Sequence, residues 1–96
     1  MIKIQHDQPR IEIGRVVFSK SGRDKNNPFV IVDTQDARNG SYVFLADGDL
    51  HKLAKPKKKN INHVQVTTHS LPEFRKMTDA EINALLSGMF EKAERP

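Results

Sequence analysis

The chain has 96 residues, a formal charge of +4, a pI of about 9.6 and no cysteine. That length fits one domain, and the missing cysteines exclude disulfides, thiolate catalysis and cysteine-based zinc sites. No apolar run approaches the about 20 residues that span a bilayer, and Met1–Asp7 has no apolar signal core, so no membrane partner and a cytoplasmic location are expected.

Residues 1–10 are mixed and polar, and they form an N-terminal arm in this reading. Ile11-Glu12-Ile13 alternates, and Val16-Val17-Phe18 continues as a β-branched and aromatic run. A first strand is expected over about Ile11–Ser19, with Gly14 marking a bulge or a close backbone approach. Ser21 to Pro28 is dense in turn formers and reads as a loop. Phe29-Val30-Ile31-Val32-Asp33 is a short apolar run, hence a buried second strand. Asn39-Gly40 is a hairpin cue, Tyr42–Ala46 a third strand, and Asp47-Gly48 a second tight turn. Leu50–Leu53 is expected as a short fourth strand, and Lys55–Asn60 as a basic loop. Val64 and Val66 alternate with polar neighbours in a fifth strand over Ile61–Thr67. Five short strands and tight turns point to a small barrel over residues 11–70.

After Pro72 the period changes, and residues 71–96 hold a linker and a helix. Thr78-Asp79-Ala80-Glu81 has the spacing of a capping box. Ile82, Leu85, Leu86, Met89 and Phe90 then fall on one face of an amphipathic helix over about Asp79–Ala93. A helix of that length is marginal alone. It needs its own barrel, a second copy or another protein to cover it.

The charge is unevenly placed. Met1–Asp49 sets seven bases against seven acids, whereas Leu50–Pro72 holds five lysines and no acid. Lys52, Lys55, Lys57, Lys58 and Lys59 therefore form a concentrated patch, with His51 and His63 nearby. Several lysines on one segment suit phosphate, through counterion release, better than base-edge readout. The plainer alternative is a solvated loop. Phe18, Phe29 and Phe44 sit in apolar runs and read as core, while Tyr42 at a strand start suits either packing or base stacking.

A second basic feature is the turn Gly22-Arg23-Asp24-Lys25, set between the runs Gly14–Ser19 and Phe29–Val32. Gly22 permits close backbone approach. Arg23 can fork onto phosphate, and Lys25 offers a point charge. Asp24 suits orienting Arg23 or capping the turn. Arg15 and Lys20 extend the patch.

This strand–turn–strand segment resembles the KOW motif through Gly14, Val16, Val17, Gly22, Arg23, Asp24 and Lys25. It departs at Asn26, where the family has Gly. From Val43 to Leu53, and again from Ile61 to Thr67, the chain is similar to the barrel of the ribosomal protein L-fourteen-e family and its short bacterial KOW relatives. The resemblance covers about Ile11–Thr68. It implies an SH3-like barrel of KOW type; with the strands and helix read above, the expected fold is mainly β, a small five-stranded barrel with one C-terminal amphipathic helix. The resemblance also implies RNA as the partner, ribosomal RNA included, and a role near translation.

No Walker loop, nucleophile elbow or His-x-x-x-His unit is present. The pairs Asp33/Asp36 and Asp47/Asp49 sit in turn-like segments, where carboxylates usually serve the turn. A non-enzyme with no cofactor and no metal is expected. The alternative function is a protein-interaction adaptor that uses the barrel surface and the apolar helix face Ile82–Phe90, or a homodimer through that helix.

Overall fold

The computed structural model describes residues 10–37 and 40–89. Five strands are present: β1 (Arg15–Ser19), β2 (Pro28–Ala37), β3 (Gly40–Ala46), β4 (Lys57–Asn60) and β5 (Val64–Ser70). One helix, α1 (Asp79–Met89), follows them. The strands form one antiparallel sheet in the order β4-β3-β2-β1-β5. The mainly β architecture with a single C-terminal helix is as expected. The sheet is open, since no ladder joins β4 to β5 among the described residues, and the expected closure into a barrel is not carried by backbone pairing.

Alternation along the strands sends side chains to two faces, and both are covered. Val16, Val30 and Ala46 stand opposite one another in register. They pack with Leu71, Phe74, Ile82 and Leu86 from the C-terminal segment. On the other face Val17, Phe29, Ile31, Val43, Leu45 and Val64 make a second cluster. The sheet bends at two irregularities. One lies between Ile31 and Asp33 against β3. The other lies between Arg15 and Val17 against β5, where Thr67 Oγ1 donates to the Val16 carbonyl at 2.7 Å.

The helix docks on its own sheet, so its apolar stripe serves the fold. Ile82 and Leu86 are fully buried, while Leu85 remains 40 % exposed. The capping box forms in both directions: the Glu81 amide donates to Thr78 Oγ1 at 3.1 Å, and the Thr78 amide donates to Glu81 Oε1 at 2.9 Å. Asp79 accepts the Leu53 amide at 2.8 Å. Gly48 lies at φ +76°, and a Cβ placed on it would stand 2.0 Å from the Asp79 carbonyl oxygen. The helix N-terminus therefore rests on bare backbone, and only glycine permits that approach. The expected extension of the helix to Ala93 lies outside the described residues, as do the arm 1–9 and Asn39 of the expected Asn-Gly turn.

Two expectations about the middle of the chain are corrected. Leu50–Leu53 is not a strand. Asp47 Oδ1 accepts the Asp49 and His51 amides at 2.9 and 3.0 Å and folds this segment into a turn, leaving Leu50 62 % exposed. The lysine segment is not a loop, because Lys57–Asn60 is the fourth strand, paired with β3 through Leu45↔Lys57 and Tyr42↔Asn60. Three other strands also differ in extent. β1 starts at Arg15, β2 runs on to Ala37 and β5 covers Val64–Ser70 after a 3₁₀ turn at Ile61–His63. β2 outlasts its apolar run because the ladder to β3 continues through exposed polar residues to Ala37↔Gly40.

Candidate nucleic-acid interface

The β1–β2 connection, residues 20–27, folds back over the sheet. Its turn is closed by the Lys25 amide donating to the Gly22 carbonyl at 3.1 Å and the Asn27 amide to the Asp24 carbonyl at 2.9 Å. Asn26 adopts φ +71°, in the left-handed region. Asparagine tolerates that region better than most residues, so the turn closes with a side chain at this position.

Within the tip, alternate side chains part company. Arg23 and Lys25 are exposed. Asp24 between them is only 4 % exposed and neither orients Arg23 nor caps the turn. Its Oδ2 meets His51 Nε2 at 3.1 Å and Lys57 Nζ at 3.4 Å. Burial pushes the Asp24 carboxyl up, but the charges and hydrogen bonds of His51 and Lys57 outweigh it and hold the group below its ordinary value. The His51 ring in turn leans on Phe29 of the second core cluster, with centroids 5.8 Å apart. Asp24 thus ties the tip to the 47–53 turn and to β4.

Strand β4 divides its lysines by parity. Lys57 and Lys59 face Leu45 and Val43 across the ladder and are half-buried. Their aliphatic stems cover the second cluster while the ammonium groups reach the tip. Lys59 Nζ donates to the Ser21 carbonyl at 3.3 Å. Burial lowers the Lys59 ammonium below its ordinary value, Lys57 adds to the shift, and Asp24 opposes it. An anion arriving here relieves that strain on the charged form. Lys58 points to the opposite face, its Nζ 4.6 Å from the centre of the Tyr42 ring.

Further cations border the same ground. The Lys20 amide donates to the His63 carbonyl at 2.8 Å, and Ser21 Oγ lies 3.0 Å from His63 Nδ1. Lys52 and Lys55, both exposed, line a hollow of about 460 Å³ together with His51 and Lys57. The tip (Lys20, Gly22, Arg23, Lys25) and the lysine segment, about 30 residues apart in sequence, are therefore joined through Asp24–Lys57 and Ser21–Lys59, with Lys52 and Lys55 beside Lys57.

Arg15 does not join them. It is 7 % exposed, and its guanidinium is held by Glu12 at 2.6 Å, the Arg10 carbonyl at 3.2 Å and the Thr67 carbonyl at 3.5 Å. Those bonds place it as a clamp at the far end of β1. Sequence reasoning missed the pairing of Asp24 with His51 and Lys57, because nothing local links positions 24, 51 and 57. A hydrophobic pattern in β4 was also missing as a signal, since lysine stems do the covering there.

Among the described residues no group of three or more His, Asp or Glu side chains is arranged to hold a metal ion, and no helix is long and apolar enough to cross a membrane. In comparisons with known proteins, no family model and no curated protein matches this chain.

Proposed function

We propose that this protein binds RNA through the phosphate backbone, along the surface shared by the 20–25 tip, β4 and the 47–57 turn. The observation that carries this reading is the docking of the tip on β4 through Asp24–Lys57 and Lys59–Ser21. It gathers two basic segments while turning the acid of the tip inward. Arg23 is suited to fork onto a phosphate, and Lys20, Lys25, Lys52 and Lys55 act as point charges. Such contacts fix position on a backbone and carry little sequence information. Among polyanions, RNA is favoured by the resemblance of Gly14–Val32 to KOW hairpins, and a ribosomal or translation-associated RNA is the corresponding expectation.

Ile82 and Leu86 of the helix face named by the adaptor reading pack on the protein's own sheet, which favours the RNA reading over it. The test is RNA affinity across a salt series, for wild type and for Arg23→Gln/Lys25→Gln/Lys52→Gln/Lys55→Gln. All four residues are exposed, so the fold should tolerate the changes. The logarithmic salt slope should fall by about 0.7 to 0.9 for each phosphate no longer neutralised. A shallow wild-type slope that the variant leaves unchanged would exclude this surface.

A further inference from the structure

Two hollows adjoin on this molecule, and their linings differ in kind. The cationic one, about 460 Å³, carries His51, Lys52, Lys55 and Lys57, with Leu50 at its side. The other, about 560 Å³, lies on the helix side of the sheet and is bounded by Asp33, Phe44, Leu53, Phe74 and Arg75. Pro56 lines both and is the wall between them. Both volumes lie in the range of small-ligand sites. A ligand that joins a flat apolar group to an anion over a short span fits the pair.

We propose that an unpaired nucleotide of a single-stranded RNA straddles Pro56, with its phosphate among Lys52, Lys55 and Lys57, its base in the Phe44–Arg75 hollow, and guanine preferred. This rests on the RNA reading above and assigns it a base-recognition site. Bases splayed from single strands are held by aromatic faces and arginine planes and read on their Watson–Crick edges. Each of those parts is present. Phe44 is half-buried and lines the hollow. The Arg75 guanidinium is held 4.7 Å over the centre of the Phe74 ring, with Phe74 itself buried. The arginine is thus a braced platform at the surface. Lys58 pairs with Phe44 in the ladder, and its ammonium rests over Tyr42.

Asp33 supplies the choice of base. It is exposed and stands opposite Phe44 where β2 bulges. The Thr34 amide donates to its Oδ1 at 2.9 Å, which orients the carboxylate. An ionised carboxylate only accepts, through two oxygens. Guanine presents two adjacent donors, its ring N1–H and its N2 amino group. Adenine and cytosine present a single amino group there, and uracil a single ring N–H.

The test uses the full chain and four fluorescent RNAs: a uridine hexamer, and the same hexamer with one central guanosine, adenosine or abasic nucleotide. Anisotropy titrations at one low salt concentration compare wild type, Asp33→Asn, Arg75→Ala and Lys52→Gln/Lys55→Gln. The guanosine hexamer should bind about tenfold tighter than the abasic one, a typical margin for one stacked base, with adenosine between them. Asp33→Asn should erase the margin of guanosine over adenosine, and Arg75→Ala should shrink the margin of both over the abasic strand. Lys52→Gln/Lys55→Gln should weaken all four. Equal binding of abasic and guanosine strands by wild type would overturn the base site and leave the phosphate reading standing. Absence of binding to all four at low salt would overturn both.

Discussion

The 47–57 segment is anchored to two neighbours by different physics. On the helix side the helix N-terminus is held by contact and by directional bonds: Gly48 against the Asp79 backbone, Asp79 on the Leu53 amide, and the Thr78–Glu81 box. On the tip side the β1–β2 connection is held by charge, with Asp24 set on His51 and Lys57. Apolar packing and tight backbone contact respond little to salt or pH. A cluster of ionisable groups responds to both. The helix side is therefore held mainly by packing and close backbone contact, and the tip mainly by charge.

The sharpest way to break the helix side is Gly48→Ala. The new methyl enters at φ +76° and meets backbone at 2.0 Å. Left-handed strain and overpacking together should cost about 4 kcal/mol, read as a lowered midpoint of urea unfolding. The midpoint should stay lowered at every salt concentration, which marks the contact as steric.

Asp24→Asn probes the tip side and should cost about 2 kcal/mol near neutral pH, the scale of a hydrogen bond to a charged group. The Asp24 carboxyl is held below its ordinary value in the fold. Its stabilisation is therefore full above the unfolded value, about 3.9, and is lost as pH falls through the lower folded value. The stability gap between wild type and Asp24→Asn should accordingly close in acid, and it should narrow in high salt. A gap that is constant with pH would remove the charge from the explanation. Thr78→Ala should have the smallest effect, about 1 kcal/mol for a missing N-cap. It should be confined to the helix side and visible as faster amide exchange in the first turn of α1.

The same division explains what could be read from the sequence. The capping box, the helix stripe and the three apolar strands were legible, because each depends on neighbours in sequence. The tip was legible as a turn, since Gly22 and Asn26 suit its positive φ values. Strand β4 was not, because a strand of three lysines and an asparagine has no apolar alternation. Its place is decided by Val43 and Leu45 across the ladder. Leu50–Leu53 misled in the opposite sense, since two leucines suggested a strand where Asp47 had already committed the backbone to a turn. At the candidate site the exposed cations could be predicted by type. Arg15 was not set apart from them, although Arg10 and Glu12 hold it locally, because its packing also involves β5, with Thr67 52 residues away. The hollow beside Pro56 was illegible for the same reason, assembled as it is from β2, β3, the turn before β4 and the segment leading to α1.

The position of β4 at the end of an open sheet has one more consequence. An unpaired strand edge is a template on which another chain can add a strand, and lysines on such an edge oppose it by repulsion between copies. Here Lys57 and Lys59 guard one face of the edge and Lys58 guards the other. Lys57 and Lys59, which belong to the proposed polyanion surface, thus also keep neighbouring molecules apart. If that proposal holds, replacing them with neutral side chains removes a ligand anchor and a safeguard against self-association in the same step.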